Sequence, residues 1–228
     1  MSRTRRRFLD LTAVSTAVAL CSLLVDRPLA LWLNARFYGT TAFAVGAFIL
    51  RSSDPLAVVG LVLFVVAIVW RRWFAAPNWV NRFVGAGFGA AAALPVALVL
   101  KVAIGRSQVY PAFLQNHTYG LRPFAGSMDF MAFPSATMAA VGGFSAGLGI
   151  QSRSRRIAVA VVFITIAAAL AVTRSHWLSD IIGGTYIGVA GGTIAARRFG
   201  RGEEKEGSDA RSIVGRFGGR SDHRAPSR

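Results

Sequence analysis

The 228-residue chain is 54% hydrophobic and only 16% charged, with a mean hydropathy of +0.48. A soluble domain of this length has no core large enough for so much apolar surface, and the apolar residues gather into long, nearly charge-free blocks, as in bilayer-spanning helices. The formal net charge of +16 sits in short clusters between those blocks and from Arg197 onward, without interleaved aromatics or zinc-ligand spacing, which argues against a nucleic-acid partner.

The first apolar block runs from Leu9 to Val25, behind Arg3, Arg5, Arg6 and Arg7. Its leading string, Thr4-Arg5-Arg6-Arg7-Phe8-Leu9, resembles a twin-arginine export signal. More apolar blocks follow, and no small-residue cleavage site lies after Val25, so the segment reads as a first helix anchored by basic residues. The lone Cys21 within it excludes an intrachain disulfide and reads as a packing residue. Residues 40–50 are apolar but short, and read as an interfacial or partly buried segment; as a separate span they would invert everything downstream. Further spans are expected at residues 55–70, 83–104, 134–151, 157–173 and 179–196.

The expected fold is therefore all-α, a polytopic membrane helical bundle of about six transmembrane helices with both termini cytoplasmic. Basic residues set the orientation. Seven of the 26 Lys and Arg fall on the non-cytoplasmic side: Arg27, Arg36, Arg51, Lys101, Arg106, Arg122 and Arg174. The remainder lie at the N-terminus, at Arg71, Arg72 and Arg82, at Arg153, Arg155 and Arg156, and in the tail. This bias suits a plasma membrane or bacterial inner membrane. Residues 1–54 are expected to form an N-terminal span and non-cytoplasmic connection, 55–197 a membrane core, and 198–228 a disordered basic cytoplasmic tail. The pairs Gly85/Gly89, Gly143/Gly147 and Gly184/Gly188 are spaced for close helix packing.

Polar residues converge at the non-cytoplasmic helix ends. Lys101 and Arg106 close the third span, a loop covers 107–133, Pro134-Ser135-Ala136-Thr137 opens the fourth, and Thr173-Arg174 leads into His176-Trp177-Leu178-Ser179-Asp180. Ionisable residues at such depths are expensive and usually functional. His176 and Asp180, four apart, share a face if the last helix begins early. A carboxylate on one imidazole nitrogen leaves the other free as nucleophile or base. Ser135 at a helix N-terminus offers an anion site, and Lys101 with an arginine adds positive charge for a phosphate. Together these describe phosphoryl transfer through a phosphohistidine, with no metal or other cofactor required. Taken singly, each residue has a plainer explanation: a capped helix start for His176 and Asp180, snorkelling for Lys101, helix initiation for Pro134-Ser135, and interfacial anchoring for Arg106, Arg122 and Arg174.

The order of these residues, with Tyr119-Gly120-Leu121-Arg122-Pro123-Phe124 and Phe133-Pro134-Ser135, resembles the type 2 phosphatidic acid phosphatases, which share a superfamily with vanadium haloperoxidases. The resemblance covers about residues 55–197. Members carry Lys-x6-Arg-Pro, Pro-Ser-Gly-His and Ser-Arg-x5-His-x3-Asp. The resemblance implies that His176 is the nucleophile, that Asp180 orients it, and that Lys101 and Ser135 contribute to a phosphate site. It departs at Gln108 and Val109 (for Arg-Pro), at Ala136 and Thr137 (for Gly-His), and at Leu170 (for the last Arg). Loss of the middle His removes a general acid, a group worth about 10²–10⁴-fold in rate.

Three accounts of the departures are open. Arg106 or Arg174 supplies the missing charge and His117 the acid, with lesser roles for Gln108, Thr137 and Arg122. Alternatively, the substrate has a good leaving group, as in a lipid diphosphate. In the third, the site binds lipid phosphate without turnover or serves as a membrane scaffold. The leading expectation is a hydrolase acting on a lipid phosphate or polyprenyl diphosphate among membrane lipids. A transporter would place polar residues at mid-membrane and show paired repeats, neither of which is evident. The missing arginines argue against a vanadate cradle.

Overall fold

The computed structural model describes residues 3–75, 77–149 and 152–199, and the expected tail lies outside them. Among the described residues the chain is all-helical and contains no β-strand, with one isolated bridge between Arg106 and Leu121. The helices are α1 (Arg3–Leu20), α2 (Asp26–Phe37), α3 (Thr41–Trp73), α4 (Asn78–Ile104), α5 (Ala136–Gly147), α6 (Arg153–Val172) and α7 (Leu178–Phe199). Among the described residues, two helical stretches, Phe8–Phe37 and Asn78–Ile104, are long and apolar enough to cross a membrane.

The N-terminal region differs from its expected form. The helix does not stop at Val25; it passes through a π turn, Cys21–Val25, where the Asp26 N–H bonds the Cys21 carbonyl, and continues as α2. Pro28 is tolerated because it falls in the first turn of α2, just after this break in the regular ladder. The expected connection up to residue 54 shrinks to a turn at Tyr38, Gly39 and Thr40, with the Thr40 side chain capping α3 at Phe43 N. Residues 40–50 do not form a separate reversal, because α3 runs on without a break for 33 residues, about 50 Å.

The expected third, fifth and sixth spans correspond to α4, α6 and α7 within a few residues. The fourth is shorter than expected. α5 has 12 residues, about 18 Å, starting after the Ser135 cap and ending before Gly149, whose φ of +59° lies in the left-handed region.

α4, α5 and α7 form the centre, packed through small residues. A Cβ on Gly143 would stand 2.4 Å from the Gly89 carbonyl oxygen, and one on Gly192 would stand 2.2 Å from the Gly143 oxygen. Such backbone approach leaves no space for a side chain. The buried interior is largely Ala and Gly, while the surface carries aliphatics: Leu61, Val62, Leu63, Val65, Val66 and Val69 of α3 are all at least half exposed. α1 packs along α7, α2 reaches α6, and α3 lies across α6 and α4.

Candidate functional site

Three features of local structure build the site. The first is the end of α4. Lys101 sits in its last turn, and Gly105 (φ +58°) forms a left-handed cap whose N–H bonds the Lys101 carbonyl. Only glycine fits there, since a Cβ would collide with the Arg122 carbonyl. The turn delivers Arg106 into the protein. Arg122 contributes its backbone to this turn, while its exposed side chain lies over the Phe130 ring at 4.8 Å.

The second feature is the junction of α6 and α7. α7 begins at Leu178, so His176 precedes it, yet its Nδ1 stands 3.4 Å from Asp180 Oδ2. The pair meets because Asp180 turns back across the helix start, where Oδ2 also accepts the Trp177 N–H at 3.0 Å in half of a capping box. The capped-start explanation and the orienting role of Asp180 therefore coexist. His176 Nε2 has no protein partner among the described residues. Arg174, at φ +64°, occupies a position at the end of α6 that usually falls to glycine.

The third feature is a buried polar network. Arg106 is 4% exposed; Nη1 donates to Asp180 Oδ1 at 2.8 Å and to Ser179 Oγ, and Nη2 donates to Asp26 Oδ2 at 2.6 Å. Nη2 also reaches Ser22 Oγ at 3.1 Å and Tyr119 Oη at 3.3 Å. Burial works against the Arg106 charge, but Asp180 and then Asp26 outweigh it and hold its pKa above the ordinary arginine value. Asp26 accepts both the N–H of Ser179, at 3.1 Å, and its hydroxyl.

A cavity of about 440 Å³ opens beside this network. Lys101, Gln108, Tyr110, Arg174, Ser175 and His176 supply its polar wall, with Thr173; Leu98, Met128 and Met131 supply the apolar one. The Lys101 ammonium donates to the carbonyls of Met131 and of Ala132, the latter at 3.1 Å, leaving one of its three N–H groups unused. The Arg174 guanidinium donates to Asn34 Oδ1 at 3.2 Å and lies over Tyr38 at 4.0 Å and Tyr110 at 4.6 Å, while its buried Nε has no partner. Neither cation has a carboxylate within ion-pair distance among the described residues.

The structure thus brings Lys101, Arg174, His176 and Gln108 to one cavity and sets Asp180 behind His176. The Gln108 side chain is held by a 2.6 Å bond to the Met128 carbonyl. Arg106 does not line the cavity; both of its arms are taken by carboxylates. Ser135 is fully buried, its hydroxyl capping α5 at Met138 N and its N–H bonded to the Asp180 carbonyl at 3.0 Å. Thr137 and His117 are not lining residues, and His117 is exposed in the loop. Leu170 packs with Met138 and Ile181 in an apolar cluster. Among the described residues no three His, Cys, Asp or Glu stand together as a metal group.

Sequence reasoning missed Asp26, Tyr110 and Asn34. Asp26 carries a signal, an acid set directly behind an apolar block; the other two carry none. No protein-family model, curated protein or solved structure matches the chain.

Proposed function

We propose that this chain is a membrane-embedded phosphatase that hydrolyses a lipid phosphate or diphosphate through a phosphohistidine on His176, on the non-cytoplasmic side of a six-span bundle. The observation that carries the reading is the pair of cations, Lys101 and Arg174, lining one cavity with His176 and, among the described residues, without a carboxylate within ion-pair distance. An unpaired buried N–H at Arg174 Nε and a spare N–H on Lys101 are what a bound phosphate would satisfy. The membrane reading is supported by the aliphatic surface of α3 and by the positive-inside bias, since water does not tolerate so large a continuous apolar face. α5 lies inside the bundle, where a partial crossing is tolerated. The apolar wall at Leu98, Met128 and Met131 suits the chain of an amphiphile.

The chemistry follows from the placements. Asp180 holds Nδ1, so Nε2 attacks phosphorus while Lys101 and Arg174 carry the charge on the equatorial oxygens. The bond from phosphorus to the leaving oxygen breaks. Arginine does not deprotonate, and the spare Lys101 N–H is assigned to the phosphate oxygens. Among the hydroxyls of the cavity wall a phenol is more acidic than those of Thr173 and Ser175, so Tyr110 is assigned as the proton donor for that oxygen. Water then attacks the phosphohistidine, the P–N bond breaks, and a proton from the water restores Tyr110.

A second reading, binding of lipid phosphate without turnover, is favoured by one observation: His176 is the only imidazole lining the cavity among the described residues. Phosphate release by purified protein in detergent separates the two. The substrates are phosphatidic acid, phosphatidylglycerophosphate and polyprenyl diphosphate, without added metal, with His176→Ala as control. Release abolished by the substitution supports the phosphatase; equal silence of both proteins, with lipid phosphate still bound, supports the binder.

A further inference from the structure

We propose that Asp26, on the N-terminal helix, is a positioning residue for His176 that acts through Arg106 and Ser179 on Asp180. The inference rests on the reading of His176 as the reacting group. Asp26 is 1% exposed and does not line the cavity, so it does not touch a bound phosphate. It is nonetheless joined to Asp180 by two routes.

The first route is the guanidinium. Its plane is rigid, so fixing one end fixes the other. Asp26, Ser22 and Tyr119 hold Nη2, and this aims Nη1 at Asp180 Oδ1. With Oδ1 tied to Arg106, Oδ2 is left to face Trp177 N and His176 Nδ1. The second route is the start of α7. The Ser179 N–H is one of the donors that a helix N-terminus leaves unsatisfied, and Asp26 Oδ1 accepts it from another helix. The same carboxylate takes the Ser179 hydroxyl, so it grips the turn that carries Asp180.

The charges make the same point. Two carboxylates face one guanidinium, which leaves a unit of negative charge beside the imidazole. If Asp26 is neutral, Arg106 is shared with no one and Asp180 is fully countered by it. Ser22, within the π turn, and Asp26, four residues on, share the helix face that meets Arg106.

A purely structural Asp26 would only fasten the N-terminal helix to the bundle, and a mutant cycle on the full-length protein separates the roles. The variants are Asp26→Asn, Asp180→Asn, the double variant and Asp26→Glu. Two readouts are taken: kcat and KM for phosphate release, and the rate at which diethyl pyrocarbonate acylates His176, followed by mass spectrometry with exposed His117 as internal reference. Asp26→Asn is expected to lower kcat about 10–100-fold, as displaced reacting groups do, with KM little changed. It should alter His176 acylation in the same direction as Asp180→Asn, add nothing in the Asp180→Asn background, and be partly rescued by glutamate. An effect that persists undiminished in that background, or unchanged acylation of His176, overturns the proposal. If wild-type protein releases no phosphate, the phosphatase reading fails by itself and the acylation cycle alone decides the role of Asp26. Should Asp26→Asn not fold, Ser179→Ala breaks one link of the same chain and carries the same cycle.

Discussion

Replacing Arg106 with methionine keeps an unbranched apolar stem and removes the charged guanidinium. Arg106 makes contacts with Asp26, Asp180, Ser179, Ser22 and Tyr119, and both carboxylates are fully buried or nearly so. Removing one partner from a buried ion pair costs about 3–5 kcal/mol. The lower end applies here, because Asp26 keeps both Ser179 donors and Asp180 keeps Trp177 N and His176. A loss of about 3 kcal/mol is roughly two decades in the folded-to-unfolded ratio and, for a chain of this size, about 6–12 °C in Tm. Thermal unfolding in detergent, followed by circular dichroism, measures it. Adding Asp26→Asn should recover part of the loss by removing one uncompensated charge. A methionine variant that melts within about a degree of wild type would refute the reasoning, as would a double variant less stable than the single.

Other perturbations test separate parts of the account. Arg174→Gly and Arg174→Ala should weaken phosphate binding equally, while glycine is the more stable by about 1 kcal/mol because the backbone is left-handed there; titration with inorganic phosphate and thermal unfolding measure the two effects. Gly143→Ala forces a methyl group against the Gly89 carbonyl and should cost about 1–3 kcal/mol in thermal unfolding. Gly60→Ala, in α3, meets open space and should be neutral or stabilising by up to about 1 kcal/mol in the same assay. Tyr110→Phe keeps the ring over which Arg174 lies but removes the proton. It should slow release from an alkyl phosphate by about 10²-fold and spare p-nitrophenyl phosphate, whose leaving group needs no acid.

The long apolar blocks were legible in the sequence because bilayer-length periodicity survives without tertiary context, as α4, α6 and α7 illustrate. Their ends were less so. Nothing local to residues 26–54 distinguishes a loop from a helix that a π turn carries past Pro28, and the early stop of α5 depends on the turn at Gly149. At the site, residue types and order pointed to His176, Asp180, Lys101 and Arg174. Sequence could not divide the arginines. Arg106 and Arg174 stand at similar distances from the motifs, yet Gly105 turns the first toward Asp26 and Asp180, and the cap of α6 turns the second toward aromatic rings and the cavity. That division depends on Asp26 arriving from a helix far away in the chain. Ser135 likewise looked like an anion site because its spacing is that of a helix cap, and capping is the job its hydroxyl performs.

Trapping the intermediate tests the central claim most directly. Protein mixed briefly with lipid phosphate, quenched in alkali and digested, should carry one phosphoryl group on the peptide containing His176, stable to base and lost in acid. The label should vanish in His176→Ala and fall when Lys101 or Arg174 is neutralised. Phosphate released by wild-type protein with no label on His176, or a label that persists in the alanine variant, would contradict the account.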